Sequence, residues 1–125
     1  MDGRTEIHAV LSADAPVIAL VGTAVYDAPL VPDNYTGAAI SMYLTAPTNG
    51  GDSIGIYNNT VNCWGKTYTQ VEDMQDAVFN ALNRKSYGGN TFFRCSKSVI
   101  IPPQNTDGDY NAPVEVLVRI KTGGF

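Results

Sequence analysis

The sequence predicts an α+β fold: a mostly antiparallel mixed sheet with helices packed on one face, in the order α-(α)-β-β-β-α-β-β. Three observations predict it. Runs of alternating apolar and polar residues follow one another closely enough to pair as hairpins. One amphipathic helix, beginning shortly after Trp64, separates two sets of such runs. Short helical patterns occupy the N-terminal segment. A sheet whose strands are apolar on one side needs a helical layer on that side.

The first helix is read over residues 4–11, where Ile7, Val10 and Leu11 share a face at i, i+3, i+4 spacing. Asp14 is placed to cap a second short helix over 15–20, with Pro16 tolerated in its first turn. Val17, Leu20 and Val21 form its expected buried side, and Gly22 closes it. Residues 24–27 read as a short strand. Two prolines and Asp33-Asn34 make 28–37 a loop. In 38–45, Ile40, Met42 and Leu44 alternate with Ser41, Tyr43 and Thr45. A Gly-rich tip follows. Over 53–64, Ile54 and Ile56 fall on one parity and Tyr57, Val61 and Cys63 on the other, which predicts a bulge near Tyr57–Asn59.

The clearest element is the helix that follows. Val71, Met74, Val78, Ala81 and Leu82 form an apolar stripe with Ala77 beside it. Thr69 and Glu72 have capping-box spacing, which gives Glu72 a structural role. Gly88-Gly89 ends the segment. Residues 91–101 read as a strand and 102–112 as a long turn-rich loop. In 114–120, Val114, Val116, Val118 and Ile120 point inward and Glu115, Leu117 and Arg119 outward.

A chain of 125 residues is one domain's worth and can bury roughly two-thirds of its unfolded surface. It is 44% hydrophobic and 16% charged, the composition of a folded rather than a disordered chain. A net charge of −4 argues against free binding to nucleic acid, which needs clustered cations, though not against enclosing DNA that slides. The polar N-terminus carries no secretory h-region, and no apolar run approaches a bilayer span. The expected chain is soluble and made inside the cell, and Cys63 and Cys95 are expected as reduced, buried residues.

Candidate chemistry is sparse. His8 is the only histidine, so a two-histidine metal site is excluded and any nucleophilic set must use it. Cys63 as its partner nucleophile lacks an activating neighbour in the sequence. Asp107, Asp109 and Asn111 have the spacing that opens a calcium loop, but Ala112 and Val118 stand at its diagnostic Gly and Glu places. No catalytic set, cofactor or metal site is expected. The seven tyrosines are scattered on strands and loops, as suits half-buried sheet faces and protein interfaces.

A strand ending in "VNCW", a short turn and the helix "TYTQVEDMQDAVFNAL" are similar to the midsection of tail-terminator (tail-completion) proteins of long-tailed bacteriophages. The opening "IHAVLSADAPVIALVGTAVYDAPLVPDN" and the closing strand "APVEVLVRIKT" resemble theirs too, in the same order. The segments "TNGGDSIGIYNN" and "PPQNTDGDYNAP" depart from the pattern. The resemblance implies a single tail-terminator-like domain over 1–125 and a structural protein rather than an enzyme. Such proteins cap the tail tube as a ring, usually of six subunits, end tail elongation and form the joint with the head connector. The implied partners are other copies of the chain, the tail tube protein and a head-tail connector or stopper. DNA would be enclosed without sequence-specific binding, no membrane is involved, and the location is the neck of the virion tail after synthesis in the host cytoplasm.

The loops at 28–37, 46–53 and 102–112 are expected to meet those neighbours, being too long and polar for mere connections. Tyr35 and Tyr110 are their expected anchors, with Asp107 and Asp109 beside Tyr110 at the interface. The competing expectation is a small ferredoxin-like ligand-binding or regulatory domain with a concave apolar pocket.

Overall fold

The computed structural model describes residues 2–28, 37–49, 54–103 and 108–121, with backbone alone at 46–49. The elements are α1 (Arg4–Ala13), α2 (Ala15–Val21), β1 (Val25–Tyr26), β2 (Ala39–Asn49), β3 (Ile54–Gly65), α3 (Tyr68–Leu82), β4 (Ser86–Tyr87), β5 (Thr91–Lys97) and β6 (Tyr110–Lys121). They form one sheet in the order β1-β2-β3-β6-β5-β4. Among the described residues only the β1–β2 pair is parallel. The α+β class and the helix-on-sheet layering are as the sequence predicts. The two-residue β4 on the far edge is an addition to the expected order. One helix between strands is not the two-helix split β-α-β unit of a ferredoxin-like domain.

The core lies between the three helices and one face of the sheet. Val114, Val116, Val118 and Ile120 of β6 are buried there as their alternation predicts. Their register partners are Val61, Asn59, Tyr57 and Gly55 on β3, and Cys95, Phe93 and Thr91 on β5. Paired residues in a ladder share a face, so these rows all face the helices. From α3 the stripe Val71, Met74, Val78 and Leu82 comes down on them, each at most 1% exposed. Burying four such side chains contributes about 1.5–3 kcal/mol apiece. Gly3 opens α1 with φ +93°, and a Cβ there would lie 2.6 Å from a Val118 methyl, so only glycine fits.

Several local expectations are corrected. The cap of α3 is Thr67, whose hydroxyl accepts from Gln70 N–H at 3.2 Å, while Gln70 Oε1 accepts from Lys66 N–H at 2.7 Å. Glu72 is exposed and takes no part in it. Thr67-x-x-Gln70 satisfies the same capping pattern two residues earlier and wins because the chain is already leaving β3 at Gly65. Leu20 is 37% exposed rather than buried, because seven residues of α2 touch the core along Val17 and Val21 alone. The bulge falls on β2 at Thr45, opposite Asn58 and Asn59, and β3 runs in unbroken register with β6 from Ile54 to Gly65.

β5 stops at Lys97 rather than at 101. Its neighbour explains this. Pro113 of β6 has no N–H to give toward β5, and its carbonyl accepts from Ser98 N–H at 3.1 Å and from Gln75 Nε2 at 2.8 Å. Pairing resumes at Ile101–Asn111 with one extra residue in the β5 extension. Val99 is thereby thrown outward and is 85% exposed.

Candidate functional site

The sheet face opposite the helices is built by the other parity of the same strands. Its cross-strand rows run Thr60–Glu115–Ser96, Asn58–Leu117–Arg94 and Ile56–Arg119–Phe92 over β3, β6 and β5. At one end the face is polar. Ser41, Thr60 and Asn62 are at most 5% exposed although they point away from the helices. Trp64 Nε1 donates to Ser41 Oγ at 2.8 Å, and Thr60 Oγ1 donates to Glu115 Oε2 at 2.9 Å and bonds Thr45 Oγ1. This network engages the hydroxyls of Ser41 and Thr60.

At the other end the face turns apolar and cationic. Ile56, Phe92 and Leu117 floor an open depression of about 400 Å³, rimmed by Arg84, Arg94 and Arg119. Lys121 Nζ lies 5.7 Å from the Phe92 ring centre. Four of the chain's eight basic residues therefore gather at one end of one face of an acidic protein. Arg84 is held with φ +60° just beyond α3, a conformation that side-chain-bearing residues seldom adopt. Among the described residues the ion pairs join basic groups other than Arg84, Arg94 and Arg119: Arg4 with Asp2 and Asp27, Lys66 with Asp109, Lys97 with Asp76.

This end of the face was missed by the interface expectation, yet its signal was present. Ile54 and Ile56 are off the parity of the core residues in β3. They are apolar because they belong to the open face, not because the strand is bulged. Phe92 in β5 and Leu117 in β6 carry the same mark.

The expected interface residues divide. Tyr35 and Asp107 lie outside the described residues. Tyr110 is half-buried within β6, not in a loop, and its ring meets Tyr68 edge-on with centroids 6.2 Å apart. Tyr68 is 52% exposed. Asp109 forms an ion pair with Lys66 at 2.7 Å, outside hydrogen-bond geometry. Asn111, the third residue of the calcium-like spacing, has its backbone in the Ile101 bridge. Among the described residues no cluster of His, Cys, Asp and Glu is arranged to hold a metal ion.

The two thiols are not arranged for catalysis. Cys63 is fully buried opposite Ile40 and Ala112, and burial pushes its thiol far up; burial pushes Cys95 up to about 12. Both are free. Their register partners on β6 are four residues apart, about 13 Å along the strand, too far for a disulfide. His8 is engaged as a clasp: its Nε2 is 3.1 Å from the Val25 carbonyl and its Nδ1 is 3.3 Å from Ser12 Oγ. The tautomer with Nε2–H satisfies both bonds and ties α1 to β1. No described helix is long and apolar enough to cross a membrane.

No protein-family model matches this sequence, and no curated protein does. The fold has a solved counterpart. A chain from the structure "Virion of native gene transfer agent (GTA) particle" superposes with a TM-score of 0.63 at 19% identity, over 92% of this chain and 91% of that one. The two chains share a fold across nearly their whole lengths.

Proposed function

We propose that the chain is a structural component of a phage-like virion, and more particularly a tail terminator. In this role it caps the tail tube as a ring of six copies, in the resembling family's manner, ends elongation and joins the tail to the head connector. The observation that carries the first step is the shared fold with a virion chain over 92% of the length, with little left over on either side. The second step rests on the sequence resemblance around "VNCW" and α3. The open, cation-rimmed sheet face suits binding between proteins better than enclosure of a small ligand, since its depression is floored by side chains and is open among the described residues. The buried thiols and the clasped histidine do not support a Cys–His enzyme reading.

Deletion of the gene from the phage or phage-like element that encodes it tests the reading. The expected result is tails of uncontrolled length that fail to join filled heads, with both defects restored by the wild-type chain supplied in trans. Normal tails joined to heads would remove the terminator role. Tails of normal length that only fail to join would reduce the function to the joint.

A further inference from the structure

The open sheet face and the helix layer are complementary surfaces on opposite sides of the molecule. The sheet side offers the apolar floor of Ile56, Phe92 and Leu117 under Arg94 and Arg119. The helix side offers Ile18 and Leu20 of α2, 43% and 37% exposed, with no charge within α2 itself. Leu20 shares a crevice with Ala77 of α3. Asp73 stands one turn before Ala77 on the same side of that helix. It is exposed, and no ion pair holds it among the described residues. An apolar centre with an acid at its edge thus matches an apolar centre edged by arginines.

We propose that the cationic, apolar end of the open sheet face is the socket for a second copy of this chain, which seats its α2–α3 face there. The inference rests on the assembly reading above and adds to it the two faces that meet. A contact between different faces is heterologous, so each copy keeps one face free for the next and the series closes into a ring when the rotation per copy allows. Arginine and phenylalanine are the residue types that dominate such contacts. A polyanion is the poorer occupant, because it would meet the arginines but leave the apolar floor of Ile56, Phe92 and Leu117 unmatched.

The test is a charge exchange followed by mass in solution, with wild type assembling at low salt. The double variant Arg94→Glu/Arg119→Glu and the variant Asp73→Lys should each keep the wild-type melting temperature and each lose self-association. Mixed in equal amounts they should assemble again, because every contact in an alternating ring then joins an acidic face to a basic one. Failure of the mixture to assemble overturns the proposal. So does a wild-type protein that stays monomeric at low salt, or one that binds DNA through these arginines without associating. Detection of the wild-type chain in purified particles reads the two ideas apart. A monomer in solution that is still found in the particle defeats the docking of these faces alone, whereas an assembling chain absent from the particle defeats the virion reading alone.

Discussion

The two faces of the sheet are written by the same strands and differ in every physical respect. In β6, Val114, Val116, Val118 and Ile120 face the helices at no more than 2% exposure, while Glu115, Leu117, Arg119 and Lys121 alternate with them on the other side. The helix side is filled largely with branched aliphatic groups, and two amide side chains there are bonded to backbone. Gln75 Nε2 donates to the carbonyls of Ser98 and Pro113, and Asn83 Oδ1 accepts from Cys95 N–H at 2.9 Å. The open side carries a hydrogen-bonded polar row at one end and the arginine-rimmed depression at the other. The first face holds the monomer together; the second is the one that the proposed docking assigns to a neighbour.

Substitutions on the two faces should therefore separate stability from assembly. Leu82→Asp places an unpaired charge on the buried stripe and should cost about 4 kcal/mol or more, read by denaturant unfolding. Retention of wild-type stability would mean that α3 does not pack as described. Gln75→Leu leaves two carbonyls at the Pro113 break without their amide donor. About 1–3 kcal/mol should be lost in the same measurement, against no change if water replaces the amide freely.

Thr67→Ala should lower stability by about 1 kcal/mol and Glu72→Ala by almost nothing. The reverse order in thermal melts would return the cap to Thr69 and Glu72. On the open face, Arg94→Ala and Arg119→Ala should each move stability by less than about 0.5 kcal/mol while weakening self-association. An equal loss in both readouts would erase the distinction between the faces.

The smallest effect is at the N-terminus. Burial alone would raise the Asp2 carboxyl, but hydrogen bonds from the Arg4 side chain and backbone, with its charge, outweigh this and hold it below the usual range. A carboxylate with a depressed folded pKa contributes stability that is present above its unfolded pKa and lost as pH falls through the folded one. Asp2→Asn should thus be slightly less stable than wild type at neutral pH, and the gap should close as pH drops below about 4. A gap that stays constant with pH would mean that the pair contributes no charge interaction.

Much of the helix-side architecture was legible in the sequence because burial imposes periodicity. The stripe of α3 and the alternation of β6 mark their large apolar inward residues, while the buried Gln75 carries no such mark and Ala81 of the expected stripe is only partly buried. What was not legible depended on neighbours across the sheet. Pro113 ends the β5 ladder only because register sets it beside Ser98, and no local pattern in 91–101 announces that. Thr45 is the bulged residue because β3 is committed to β6 and β2 must absorb the mismatch. β4 is two exposed residues with no apolar signature. The open-face patch was the subtle case. Its apolar residues were visible on the wrong parity, but without a known sheet that signal reads as irregularity in one strand rather than as a second surface shared by three.

The central claim is that this fold serves a virion by assembling with copies of itself. The measurement that meets it most directly is the copy number and position of the chain in purified particles, by quantitative mass spectrometry together with labelling in electron micrographs. The expected result is a small fixed number of copies per particle, one ring's worth, at the end of the tail that meets the head. Absence of the chain from intact particles, or a copy number that scales with tail length, would contradict it.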